Sequence, residues 1–297
     1  MVDNPSQEHI MLLGFGDIAR RLVPHLRVSH RHYCISGVRR STSQYDDVTM
    51  HAVDCRDTTS LTSLLTQQAD VIVMTFVPTA MSDEGYQAGY VDTVHAVLSA
   101  LDQQNYQPRL LMFVSSSSVY SQNDASWVNE DSATEPLSYS GRHLLKAEQL
   151  LADSRYTHCC VRFSGIYGPG RGRLINEVIE GKGSPAKPAL YTNRIHSEDC
   201  AAILAHFIER QKTTPLEPVY LASDCCPTPL SEVKEWIAQT LNLPEEHLQH
   251  KSKQVNASRS RKNKSNKRCS NQRLLETGYT FLYPTFREGY LSLIDQQ

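Results

Sequence analysis

Residues Gly14-Phe15-Gly16-Asp17-Ile18-Ala19 follow the apolar run HIMLL and open the amphipathic run DIARRLVPHLRV. A GxGxxA at a strand-to-helix junction this near the start of a chain constrains the fold more than any other feature. The first glycine permits a tight turn. The second lets a pyrophosphate reach the backbone and the helix N-terminus, and Ala19 lets helix and strand pack closely. All six residues are candidate dinucleotide contacts. Strands and helices should then alternate, and they do: YCISGVRR, ADVIVMTFVP, RLLMFVSSSSVY and HCCVRFSGIYGPG read as strands between helical runs. Pro24 should kink the first helix or end it early. The pattern predicts βαβ units and a parallel sheet covered on both faces.

An NAD-binding version carries an acid about twenty residues after the glycines, for the ribose 2′-hydroxyl. Here the segment reads SGVRRS, with Gly37 where the acid would stand, then Arg39, Arg40 and Ser41. Two forked guanidiniums and a hydroxyl suit a 2′-phosphate, so NADP(H) is the expected cofactor and NAD(H) the other the fold admits. Read blandly, the same residues are a solvated basic turn. Asp54, in HAVDCRD, is a weaker candidate acceptor for the adenine amino group.

The bulk numbers exclude several classes. With 297 residues and 40% hydrophobic content, the chain fits a nucleotide-binding domain with a smaller companion. A net charge of −2 supplies no field to recruit nucleic acid or membrane. The longest apolar stretch is strand-sized, and the first residues, carrying Asp3 and Glu8, do not read as a signal peptide. A cytoplasmic location is expected. None of the eight cysteines forms a CxxC pair, and reduced thiols without a metal site are expected. From Lys251 to Arg268 the chain carries eight basic residues and no acid or aromatic, a composition that favours a solvated loop over a nucleic-acid contact.

Four segments, RLLMFVSSSSVY, YSGRHLLKAE, VRFSGIYGPG and NRIHSEDCAAIL, occur in that order. In order and spacing they resemble the extended short-chain dehydrogenases/reductases, the family that includes sugar-nucleotide epimerases and dehydratases. Together with the GxGxxA, the C-terminal NKRCSNQRLLETGYTFLYPTFREGY resembles the atypical, YeeZ-like branch, so that the resemblance spans Ile10 to Tyr290. It implies a Rossmann-type α/β fold, a doubly wound parallel sheet over residues 1–168. Return segments would lie near 194–223, with a smaller C-terminal substrate region over 169–297. It also implies a homodimer built on the helices YVDTVHAVLSALDQ and GRHLLKAEQLLADS, with a substrate cleft at the carboxyl ends of the strands.

In that family a hydroxyl orients the substrate carbonyl, a tyrosine transfers the proton, and a lysine four residues on binds the nicotinamide ribose. Ser116 matches the hydroxyl. The tyrosine–lysine pair has no match: counted from Tyr139 the lysine position is His143, and counted back from Glu148 the two positions are Ser140 and Leu144. Lys146 lies seven residues from Tyr139, about 10.5 Å along a helix. Tyr139 with His143 keeps the four-residue spacing, and Arg142 offers a permanent charge; against these stands a plain helix start, with Tyr139 packing and His143 at the surface. The candidate catalytic residues are therefore Ser116, Tyr139 and His143. Where the sugar-nucleotide enzymes grip a diphosphate with arginine, this chain has Thr192, with Asn193 and Arg194 out of register. Ser197 or Asp199 is expected to cap the helix after RIH, and Ser231 the helix of PLSEVKEWIAQTLNLP. Two functions follow: an NAD(P)-dependent oxidoreductase or epimerase acting on a small carbonyl, hydroxyl or sugar-type compound, or a non-catalytic NADP-binding redox sensor or regulator.

Overall fold

The computed structural model describes residues 7–28, 33–248 and 265–295. Of the basic run, residues 251–264 lie outside the described residues. In chain order the elements begin β1 (His9–Leu13), α1 (Asp17–Val28), β2 (Cys34–Arg39), β3 (Thr49–Ala52), α2 (Thr58–Leu65), β4 (Val71–Met74) and α3 (Asp83–Tyr86). A π-helical turn, Gln87–Val91, leads into α4 (Asp92–Gln103), β5 (Leu110–Ser116), β6 (Ser126–Val128), α5 (Tyr139–Ala152), β7 (His158–Phe163) and β8 (Gly165–Tyr167). The chain continues through α6 (Arg173–Ile179), β9 (Tyr191–Thr192), β10 (Arg194–His196), α7 (Ser197–Arg210), β11 (Val219–Ala222) and β12 (Thr228–Pro229). Last come α8 (Leu230–Thr240), β13 (Lys267–Cys269), α9 (Gln272–Leu275) and α10 (Phe286–Ile294).

Two compact units result, one of residues 1–119, 138–162 and 201–220, the other of residues 120–137, 163–200 and 221–297. The first is built on a seven-stranded sheet in the order β11-β7-β5-β4-β1-β2-β3. Strands β3, β2, β1, β4 and β5 run parallel. Ile10–Leu13, Val71–Met74 and Leu110–Phe113 are completely buried, which is why these strands read as unbroken apolar runs rather than alternating ones. This is the doubly wound α/β fold, and it reverses direction between β1 and β4, where such sheets bind ligands.

Pro24 does not end α1, which runs unbroken from Asp17 to Val28. A proline at this position removes the hydrogen bond to the carbonyl four residues back. That carbonyl belongs to Arg20, and the Tyr45 hydroxyl donates to it at 3.3 Å. The missing bond is replaced from the loop between β2 and β3, and the helix continues.

The second unit is assembled from short ladders, β10 with β8, β12 with β9 and β13 with β6, around a core that includes Tyr167, Ile175, Val233, Ile237, Phe286 and Tyr290. Two capping expectations are corrected here. Helix α8 starts at Leu230 behind Pro229, which leaves Ser231 inside the first turn, buried and not capping. Asp199 does not cap α7 either: its carboxylate accepts the amides of Leu282 (2.7 Å) and Tyr283 (3.0 Å) and the Tyr279 hydroxyl (2.7 Å), holding the C-terminal segment. The segment NKRCSN is a knot of the same kind. Asn266 bonds to Tyr191 and Ala189, Lys267 donates to the Tyr120 carbonyl at 3.0 Å, and Asn271 donates to the Ser223 carbonyl at 3.0 Å.

Asp224, 1% exposed, gives one oxygen to the Cys226 amide (3.1 Å). Burial pushes its carboxyl up to about 7, against the pull of Arg194 and with Asp199 and Glu288 adding to the rise. A carboxyl raised in the folded state contributes stability that is complete below its unfolded value and lost as pH rises through about 7. Asp224→Asn should therefore gain on the wild type as pH rises from about 4 to about 7, by on the order of a few kcal/mol in urea unfolding, with no further gain above that. Stability curves that run parallel across this range would contradict the assignment.

Candidate functional site

The turn after β1 is made by one acceptor. The Val38 carbonyl in β2 takes the amides of both Gly14 (3.0 Å) and Phe15 (2.8 Å). This draws the chain back sharply, and Gly14 adopts φ +82°, where side chains are disfavoured. A Cβ there would also stand 3.0 Å from the Thr75 carbonyl oxygen and 3.1 Å from the Phe76 ring. From β4's end the Thr75 hydroxyl donates to the Gly14 carbonyl at 2.8 Å. Gly16 is open by contrast: a Cβ would meet only the Gly14 oxygen, at 3.6 Å. Its carbonyl accepts the Arg20 amide at 3.0 Å, so α1 starts directly behind it and offers first-turn N–H groups without intrahelical partners. Asp17, the acid in that turn, is paired with Arg21 at 2.9 Å. Ile18 and Ala19 are buried and act by packing, as does Phe15, whose ring meets Tyr45 edge-on at 5.3 Å. The space over Gly16 and the helix terminus fits a dinucleotide pyrophosphate.

The reading of Gly37 needs correction. It lies inside β2, and a Cβ on it would fall 2.7 Å from the Phe15 ring and 2.6 Å from the Met50 sulfur, so packing requires the glycine. The carboxyl end of β2 is Arg39, and that residue stands where an acid would be expected. Arg39, Arg40 and Ser41 are all exposed. Asp54 is clasped by Arg56 through Nη2 (2.5 Å), Nε (3.0 Å) and the backbone amide (3.0 Å). Arg56, with help from Arg40, holds its carboxyl below the usual range. Sequence reasoning passed over Arg56, although an Asp-x-Arg at a strand exit is the signal for such a clasp.

The serines at the end of β5 have divided roles. Ser115 is buried and donates to Glu148 Oε1 at 2.5 Å. Glu148 in turn is held by Arg162 through Nε (3.0 and 3.1 Å) and Nη2 (2.6 Å), both side chains being nearly sealed from water. Ser116, the last residue of β5, accepts the Ser118 amide at 3.1 Å, which leaves its own O–H to donate.

Helix α5 is capped by Ser138, whose hydroxyl takes the Gly141 amide, and it buries Gly141, Leu144, Ala147, Glu148 and Leu151. Leu144, at the lysine position counted from Glu148, is thus core, and Lys146 is exposed. Tyr139 and His143 face one short stretch, the end of the loop after β4 and the first residue of α3. The Tyr139 hydroxyl donates to the Met81 carbonyl at 3.2 Å, and its ring meets Tyr86 edge-on at 5.3 Å. His143 Nε2 lies 2.6 Å from Asp83 Oδ1, while Arg142 reaches Oδ2 at 3.2 Å. The His143 bond first, then the nearby Arg142, keeps the Asp83 carboxyl below its ordinary range. Asp83 was not singled out from sequence because SDEGY reads only as a helix start, with Ser82 as cap and acids in the first turn.

The model of the NAD dependent epimerase/dehydratase family matches residues 10–220. The chain belongs to that family. Among solved structures, it is similar to a candidate NAD-dependent epimerase/dehydratase from Methylobacillus flagellatus at 29% identity and TM-score 0.79, covering 98% of each chain. A conserved protein of unknown function from Silicibacter pomeroyi matches at 25% identity and TM-score 0.72, over 98% of this chain and 99% of that one. The dTDP-glucose 4,6-dehydratase of Bacillus anthracis, in complex with NAD, shares the fold at 16% identity and TM-score 0.72, over 95% and 94%. No curated protein matches. Among the described residues, no cluster of His, Cys, Asp or Glu could hold a metal ion, and no helix is long and apolar enough to cross a membrane.

The buried and exposed faces of α5 predict different mutational costs. Glu148→Ala strands the Arg162 guanidinium in the interior and should cost about 3–5 kcal/mol in urea unfolding. Lys146→Ala should stay within about 0.5 kcal/mol. Equal costs would mean that Glu148 does not anchor the helix.

Proposed function

We propose that this chain is an NADP(H)-dependent oxidoreductase or epimerase acting on a small carbonyl, hydroxyl or sugar-type compound. The observation that carries the reading is the Gly14–Gly16 turn at the sheet's reversal point, with Arg39 at the exit of β2 and Arg40 and Ser41 following. The bound state of the Bacillus anthracis relative supports a nicotinamide dinucleotide. Gly16 and the first turn of α1 would hold the pyrophosphate, and Arg39, Arg40 and Ser41 the 2′-phosphate; the cofactor supplies the hydride. Ser116, with its hydrogen unspent, polarises the substrate oxygen. Tyr139 serves as the acid by exchanging the Met81 carbonyl for that oxygen, with His143 one turn along the helix and fixed by Asp83.

A second reading, a non-catalytic NADP-binding sensor or regulator, has its own observation. The Tyr139 hydroxyl is occupied, Leu144 is buried at the lysine position, and Lys146 is exposed. Both readings share the cofactor; turnover separates them.

Calorimetric titration should give at least tenfold tighter binding of NADPH than NADH, and Arg39→Ala with Arg40→Ala should erase the difference. Equal affinities in the unmutated protein would contradict the NADP assignment. With NADPH and a panel of aldehydes, ketones and sugar nucleotides, Ser116→Ala should lower kcat/KM about tenfold or more. Tight NADPH binding without turnover on any of them would decide for the sensor.

A further inference from the structure

The loop from Phe76 to Ser82, between β4 and α3, is tightly built and yet displays two apolar side chains. A Cβ on Gly85 would lie 2.2 Å from the Ala80 carbonyl oxygen, and one on Gly89 2.6 Å from that of Val77 and 2.7 Å from Pro78 Cα. The loop therefore rests directly on the backbone of α3 and the π-turn. The Thr79 amide (3.0 Å) and hydroxyl (3.3 Å) both bond to the Gly85 carbonyl, and the Ser82 hydroxyl accepts the Gly85 amide at 3.1 Å. From α5, Tyr139 holds Met81 through its carbonyl, and His143 and Arg142 hold Asp83. Within this fixed frame Val77 is 71% and Met81 76% exposed.

Single exposed apolar residues need no explanation. These two differ in where they stand. The loop leaves β4, the strand beside the reversal point, and its first residue, Phe76, abuts Gly14, whose carbonyl Thr75 holds. Ligands of open α/β sheets bind outside the carboxyl ends of the strands at that point. An unbranched methionine adapts its shape to an apolar guest, and a valine adds a stiff second surface.

We propose that Val77 and Met81 form a preformed apolar wall beside the cofactor turn, one that selects substrates bearing an apolar group on the reacting carbon. The proposal deepens the cofactor reading above and rests on it. Arg142, His143 and Asp83 act here as positioning residues that keep the wall in place, and Tyr139 adds its hold on Met81 until a substrate oxygen takes its hydroxyl.

The test is a calorimetric titration of the NADP⁺-saturated protein with linear carboxamides from acetamide to octanamide, whose carbonyl accepts no hydride. Affinity should rise about fourfold for each added methylene over the first several carbons. The double substitution Val77→Ser with Met81→Ser should flatten that rise and leave NADP⁺ affinity unchanged, while Val77→Ile with Met81→Leu should keep it. A flat series in the unmutated protein despite NADP⁺ binding overturns the proposal alone. So does a rise that survives the serine substitutions, including the case where they instead change the sedimentation mass, which would assign the two residues to contact between copies. Failure of NADP⁺ to bind removes the cofactor reading and this proposal together.

Discussion

A single carbonyl, that of Val38, sets the geometry on which the candidate site depends. By accepting two successive amides it bends the chain hard at the end of β1, which requires a residue free to take φ +82° with no Cβ between Thr75 and Phe76. Glycine alone meets both demands. The bend places the N-terminus of α1 directly behind Gly16, at the end of β1 beside the point where the sheet reverses. Phe15, swung inward by the same bend, presses on β2 so closely that residue 37 must also lack a side chain. The cradle and the strand beside it are thus one packing solution, and the basic exit of β2 is carried along with it.

The second constraint lies under α5. Glu148 is fixed by Arg162 and by Ser115, and through Ser115 the helix is pinned to the strand that ends in Ser116. With that anchor in place Leu144 turns into the core and Tyr139 and His143 turn toward Met81 and Asp83. In this structure the polar groups at the head of the helix order the end of the loop after β4 and the start of α3. Ser116, at the strand end, accepts the Ser118 amide and keeps its own hydrogen to give.

The sheet was legible in the sequence because its strands are buried on both faces and read as unbroken apolar runs. The glycine turn was legible because its steric demands admit one residue type. What escaped the sequence depends on partners distant in the chain. Helix α1 survives Pro24 because Tyr45 supplies a donor twenty-five residues from Arg20. Asp199 serves a segment eighty residues further on rather than its own helix. In the sequence Gly37 stands where an acid is expected, whereas in the fold the ring of Phe15 requires the glycine. Asp83 gave no signal, since nothing local shows that a helix sixty residues away will present a histidine to it. Local pattern reports local geometry and burial, while the pairing of polar side chains across elements is set only once the fold exists.

The central claim is that the Gly14–Gly16 turn and the arginines at the exit of β2 form one NADP(H) site. A crystal structure grown with NADP⁺ tests it most directly. The account predicts the pyrophosphate over Gly16 and the first turn of α1, with the 2′-phosphate within hydrogen-bond reach of Arg39 or Arg40. A nucleotide bound with its ribose 2′-position turned away from both arginines, or bound elsewhere on the chain, would contradict it.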